Sequence, residues 1–295
     1  MVTDRKIIVA NDNVSMEVTN PPYYVKSFSG IDMLDVTLVT TQAYGQEGAD
    51  VVNTIVNPRN MELAGQIYAE TNQGMQMMRD KIKAVFMPHK ELTVTHYYGG
   101  KTRQIKCYTE KTPKFTDTGV TTVKNYSVIL IAPDPYWKNV EITRVSIANW
   151  IAKFHFPLII PKEEGIIFGL KSASLIADVY NPSNIEVGME IRFEATGAVK
   201  NPQLFNINTR EYIRLINTSM DAGEVIIINT DKREKTVVQR KNGVEKNYIG
   251  KIDLAGGGNT FLTLRPGDNL FRYAADEGES NLQTYIYFRG VESGV

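Results

Sequence analysis

The sequence predicts a mainly β protein of two domains with a single α-helix in its first half. Short stretches rich in Val, Ile, Thr and Tyr recur along the chain, separated by Gly, Pro and Asn turn signals. One segment alone shows clear helical periodicity. The length, 295 residues, is roughly that of two ordinary domains. Many short strands with turns between them argue for sandwiches or barrels.

The helix is expected from about Asn72 to Phe86. Met78, Ile82, Val85 and Phe86 fall at i, i+4, i+7 and i+8 and make one apolar stripe. Pro88 ends it, because proline restricts the residue before it and donates no backbone hydrogen bond. A second segment, ITRVSIANWIAK, has weaker helical spacing; β-branched residues crowd its first half, so it reads as strand or irregular.

The strands come in pairs. LTVTHYYGGKTRQIKCYTE alternates on either side of Gly99-Gly100, a pair that supplies the positive φ of a tight hairpin turn. TVVQRKNGVEKNYIGK turns at Asn242-Gly243, a strong short-range hairpin signal. EYIRLINTSMDAGEVIIINT reads as two strands joined at MDAG, and FLTLRPGDNLFRYAA as a further pair around Pro266-Gly267. NYSVILI reads as a buried strand. VYNPSN reads as a turn before the next strand.

The stretch APDPYW follows NYSVILI directly. Pro133 and Pro135 stiffen it, and stiff extended chain suits a short rigid junction. The division is therefore placed here, with domains at 1–137 and 138–295. Pro133, Asp134, Pro135, Tyr136 and Trp137 are the candidate junction and interface residues. Pro157 with Pro161 marks a second stiff spot, and FHFPLII is the densest apolar run, strand-sized rather than membrane-spanning.

Composition excludes several function classes. Lys plus Arg is 33 and Asp plus Glu is 33, so the chain lacks the basic excess of a protein that holds a nucleic-acid backbone. Near-zero charge also leaves little repulsion between copies. Cys107 is the only cysteine, so neither an intramolecular disulfide nor a Cys-based zinc site is expected. The opening MVTDRKIIVANDN lacks a signal-peptide core, and synthesis and folding in the cytoplasm are expected.

Catalytic patterns are equally scarce. His89, His96 and His155 show no HxH or HExxH spacing and read as surface or packing residues. Cys107 shares a strand parity with Ile105 and reads as core. AGGGNT, residues 255–260, is followed by a strand and a turn, whereas a phosphate cradle needs a helix N-terminus. Glu163 and Glu164 are adjacent, which in a strand points them to opposite faces. GxSxG is absent. Lys232, Arg233, Lys235, Arg240 and Lys241 read as a solvated face. No enzyme activity, cofactor or metal is expected. The tyrosine clusters at turns, in NPPYYVKSF, THYYGG and PDPYW, fit a core cap or an interface equally well.

The order of these features resembles the distal tail protein family of long-tailed siphophages. The resemblance spans nearly the whole chain. Its most specific parts are APDPYW, the Asn-Pro followed by a strand at 181–193, and Leu264-Arg265-Pro266-Gly267-Asp268-Asn269. It implies an N-terminal β-barrel or sandwich-like, ring-forming domain with one α-helix, followed by a C-terminal galectin-like β-sandwich. It also implies a structural hub at the virion tail tip, made in the host bacterial cytoplasm. The implied partners are further copies of the chain in a ring of six, the tail tube protein, the tail-associated tip protein and receptor-binding proteins. DNA is implied only as passing cargo, and no membrane partner is implied.

The galectin-like fold raises an alternative, a carbohydrate-binding module of a phage adhesion device. Fold does not imply function. The His-x-Asn-x-Arg strand and Trp-Gly-x-Glu turn of true galectins are both missing: His155 precedes Phe156-Pro157, and neither Trp137 nor Trp150 precedes Gly. Scaffolding is favoured. A cell-wall hydrolase is favoured least, for want of paired carboxylates.

Overall fold

Strands dominate the computed structural model, which describes residues 5–147, 150–152, 169–171, 176–256 and 258–295. His155, Pro157, Pro161, Glu163, Glu164 and FHFPLII lie outside the described residues. The chain forms two compact units: Met1–Glu141 with Val291–Val295, and Ile142–Gly290. The sequence put the division after residue 137 and kept 291–295 in the second domain. The fold divides four residues later and returns Val291–Val295 to the first unit, because residues there pair with a strand of that unit.

The first unit contains β1 (Lys6–Ala10), β2 (Ser15–Glu17), β3 (Tyr23–Ser29), β4 (Val36–Thr41), β5 (Asp50–Val56), β6 (Arg59–Tyr68), α1 (Asn72–Val85), β7 (Glu91–Tyr98), β8 (Lys101–Asp117), β9 (Val123–Ala132) and β10 (Trp137–Asn139). Its main sheet runs β2-β1-β7-β8-β9-β6-β3, all antiparallel. β8 carries two jobs. Its first half pairs with β7 and, at Arg103 and Gln104, with β10, while its second half pairs with β9 across two register shifts.

Alternation decides what the sheet buries. Along β9, Tyr126, Val128, Leu130 and Ala132 face inward and the residues between them are only half-buried. Leu92 and Val94 on β7, and Ile105 and Cys107 on β8, join the same core. α1 closes it with Met75, Ile82, Val85 and the capping Phe86, and Met78 packs from its edge. Thr71 caps the helix: its hydroxyl accepts the Gly74 backbone N–H at 3.0 Å. The helix ends before Pro88, as its pattern dictates.

The second unit contains β11 (Thr143–Ser146), β12 (Trp150–Ala152), β13 (Gly169–Lys171), β14 (Ile176–Asn181), β15 (Glu190–Ala195), β16 (Val199–Lys200), β17 (Gln203–Asn206), β18 (Tyr212–Arg214), β19 (Ser219–Met220), β20 (Val225–Asn229), β21 (Thr236–Lys241), β22 (Val244–Asn247), β23 (Gly267–Ala274) and β24 (Leu282–Phe288). One sheet runs β11-β24-β15-β20-β21-β22 and another β14-β23-β17-β18. In β15, β17, β20, β23 and β24, buried and partly exposed residues alternate. Each sheet thus has one inward face. The final strand, β25 (Val291–Glu292), pairs with β10 in the first unit.

Two strand expectations need correction. EYIRLINTSMDAGEVIIINT is not two strands but three, in three different sheets: β18 pairs with β17, β19 with β16, and β20 with β15 and β21. FLTLRPGDNLFRYAA is not a hairpin. Before β23 only Leu264 pairs, in a single antiparallel bridge to Val187. The Asn269 side chain holds the turn instead, donating to the carbonyls of Arg265 and Gly267 and accepting the Arg265 N–H. That leaves too little free backbone for a ladder. Asn181 builds the VYNPSN turn in the same way, donating to the Ile185 and Leu264 carbonyls. The hairpins β7–β8 and β21–β22 turn at Gly99-Gly100 and Asn242-Gly243, as their sequences require.

Candidate functional site

Among the described residues the hairpin β4–β5 forms a two-stranded sheet of its own, apart from the main sheet of its unit. All thirteen residues of its two strands are exposed. Val36, Leu38 and Val56 project on one face, and Val39 and Ile55 on the other, by the pairing Val36↔Val56, Thr37↔Ile55 and Val39↔Asn53. Val51 and Val52 add to the exposed apolar surface, and Tyr44 stands wholly exposed in the loop. The segment between Lys26 and Arg59 contains no Lys or Arg and carries Asp32, Asp35, Glu47 and Asp50. The arm is therefore apolar on both faces and acidic around them.

Its root is built very differently. The chain enters through Gly30–Met33 and leaves through Asn57, Pro58 and Arg59. Arg59 is 1% exposed. Its Nη1 donates to the carbonyls of Gly30 at 2.7 Å and Met33 at 2.9 Å. Its Nε donates to the Pro135 carbonyl at 2.6 Å, and its Nη2 to the Ser293 carbonyl. A guanidinium presents its donors as a rigid fork, which suits it to collecting carbonyls from several chain segments. Burial lowers its pKa, and the nearby Asp32 carboxylate offsets part of that.

Of the junction candidates, Pro135 and Trp137 reach this root. Trp137 is wholly buried in the first unit's core, and its indole N–H donates to the Ile31 carbonyl at 3.2 Å. Its ring is enclosed, so it offers no surface to a neighbouring copy. Pro135 is buried and lends its carbonyl to Arg59. Asp134 accepts the Tyr136 backbone N–H and pairs with Lys138 at 3.3 Å. Tyr136 is half-buried and Pro133 exposed. The stiffness of APDPYW thus serves to present a carbonyl and an indole to the hairpin's root. Sequence reasoning missed Arg59 and the hairpin; the long gap in basic residues between Lys26 and Arg59 was the available signal.

The residues weighed for chemistry are elsewhere engaged. His96 is buried, and its Nε2 accepts from Arg5 Nε at 3.1 Å. Burial first, then Arg5 and Arg103, push its pKa down to about 4, against a small opposing pull from Asp32. Cys107 is fully buried, and burial pushes its thiol up to about 12, far from a reactive thiolate. His89 is exposed after the helix. Among the described residues no group of three or more His, Cys, Asp or Glu could hold a metal ion. No helix there is long and apolar enough to cross a membrane. The basic run is exposed, with Arg240 paired to Glu245 and Lys241 to Glu224. The Gly-rich segment is tied to Tyr212 rather than to a helix N-terminus.

Two family models match the chain. The phage tail protein RIFT-related domain matches residues 21–130, inside the first unit, and the siphovirus-type tail component, C-terminal domain, matches residues 182–290, inside the second. No curated protein matches by sequence. Among solved structures, the Dit protein of phage SPP1, described as a paradigm of the hub adsorption apparatus in phages infecting Gram-positive hosts, is 9% identical with a TM-score of 0.68. That match covers 97% of this chain and 98% of the other. A chain of the phage P2 baseplate, in its activated conformation with calcium, is 13% identical with a TM-score of 0.56 and 99% coverage of both chains. The strontium form gives 14% and 0.52, with the same coverage. At such identities these likenesses bear on fold: the mainly β, single-helix architecture is that of the hub protein along nearly its full length. With one tail-protein model matched in each unit and this fold shared end to end, the chain belongs to the siphophage distal tail protein family.

Proposed function

We propose that the protein is the structural hub at the distal end of a long phage tail. Copies close into a ring, six by resemblance to the family, around a lumen through which DNA passes. The ring joins the tail tube to the tip protein. The second unit, a galectin-like sandwich in this reading, points outward and anchors receptor-binding proteins. The protein works by assembly and not by catalysis.

The observation that carries this is the β4–β5 hairpin. A two-stranded ribbon is marginal in water alone. This one keeps apolar side chains on both faces with no described residue of its own unit covering them. Such a surface marks an interaction site. A contact between unlike surfaces of identical subunits propagates, and closes into a ring when the rotation allows. The acidic residues around the arm limit indiscriminate edge pairing before assembly.

Light scattering with negative-stain imaging of the same peak tests the reading. The expected result is a hexamer, or two stacked hexamers, with a central hole. Leu38→Asp with Ile55→Asp should leave a folded monomer. A wild-type chain that stays monomeric at high concentration, and also fails to join purified tail tubes, would sink the proposal.

A further inference from the structure

We infer that Val291–Val295 is a strap that latches the hairpin's root and so aims the arm. The inference rests on the assembly reading for its consequence, but its geometry is independent of it. Four separate segments meet at one point: the hairpin's entrance, its exit at Arg59, the APDPYW turn, and the strap. Of the entrance carbonyls, Gly30 and Met33 are held by Arg59 and Ile31 by Trp137. The strap completes the cluster. Ser293 gives its carbonyl to Arg59, and Gly294 lies so close to Asp32 that a Cβ there would run into the Asp32 carbonyl oxygen.

The strap is itself fastened from outside. It pairs with β10 as Trp137↔Glu292 and Lys138↔Val291. Glu292 binds Arg103 at 2.7 Å and Lys101 at 3.1 Å. Burial alone would raise the Glu292 carboxyl, but these two partners hold it below its ordinary value. Val295 packs on the core. A second pair of bonds closes the hairpin just above the latch: Asn57 N–H donates to the Asp35 carbonyl and Asn57 Nδ2 to the Thr37 hydroxyl, both at 2.8 Å. With the root fixed on all sides, an arm bare of packing still has one direction. A ring needs that, since each copy must present its arm at the same angle.

The test is Gly294→Val, whose branched side chain has no room beside Asp32, with Glu292→Gln as a gentler variant. Hydrogen exchange is read in dilute, unassembled protein for residues 36–56 and, as an internal reference, for β7 and β8. The expected result for Gly294→Val is at least a tenfold loss of protection in the hairpin with the reference unchanged, and a smaller loss in the same place for Glu292→Gln. Light scattering on the same samples then separates the two ideas. Loosened hairpins with failed assembly support the strap and the assembly reading together. Loosened hairpins with intact assembly support the strap but refute the hairpin as the joining element. Unchanged hairpin protection in both folded variants overturns the strap.

Discussion

The hairpins β4–β5 and β7–β8 are both antiparallel, both rich in Thr, and both in the first unit. Leu92, Val94 and Ile105 are 0–2% exposed, whereas Leu38, Val52 and Ile55 are 45–65% exposed. The difference lies not in strand propensity but in neighbours. β7 has β1 on its far side and the core beneath it; among the described strands β4 and β5 pair only with each other. A strand's sequence states that it can be half-buried, and the rest of the molecule, or another molecule, decides whether it is. One hairpin is finished within the chain and the other is left bare.

The largest expected effect is that of truncating a buried side chain. Leu92→Ala is expected to cost about 2–5 kcal/mol, because a core leucine leaves a cavity. Leu38→Ala in the unassembled chain should change stability by less than about 0.5 kcal/mol, as exposed sites do. Urea unfolding of both variants checks the contrast; a large loss for Leu38→Ala would mean the arm is packed in the free subunit after all.

Acid sharpens the contrast next, since His96 belongs to the buried hairpin. With its folded pKa near 4 and an ordinary unfolded value of 6.5, the unfolded chain binds a proton that the folded chain refuses between those pH values. Stability is therefore full above pH 6.5 and falls as the pH drops toward 4, by about 3 kcal/mol in all. His96→Gln should flatten the unfolding midpoint across that window. An unchanged slope in the variant would remove His96 as the cause.

The smallest effect separates backbone strain from packing. Gly100 and Gly48 have φ of 74° and 81°, and neither has an atom within 4 Å of a would-be Cβ. Alanine in such a conformation costs about 1–2 kcal/mol. Gly100→Ala should lower global stability by that amount. Gly48→Ala should leave the unfolding midpoint in place and raise hydrogen exchange in β4 and β5 only, because the arm opens without the rest.

Local chemistry was legible wherever a turn or a stripe set the answer. Gly99-Gly100 and Asn242-Gly243 each placed a hairpin, and the Met78, Ile82, Val85 pattern placed the helix, because those signals act over a few residues. What depends on distant chain was not legible. Leu264 looks like a strand residue, but Asn269 claims the backbone around it for a turn. A charged Arg59 beside Asn-Pro reads as surface, yet its partners are residues 30, 33, 135 and 293. Trp137 drew attention as a candidate contact between domains, and the fold spends it on the Ile31 carbonyl. The exposure of β4 and β5 could not be read at all, since Val-Thr alternation looks the same with or without a cover.

The second unit, Ile142–Gly290, is spliced into the first, and this sets a clock. Ribosomes add about 5–20 residues per second. The strap at Val291–Val295 therefore emerges roughly 7–30 s after the rest of the first unit has been made. Throughout that delay a nascent chain owns an arm but cannot aim it. On the assembly proposed above, joining is reserved for chains whose second unit has already been translated.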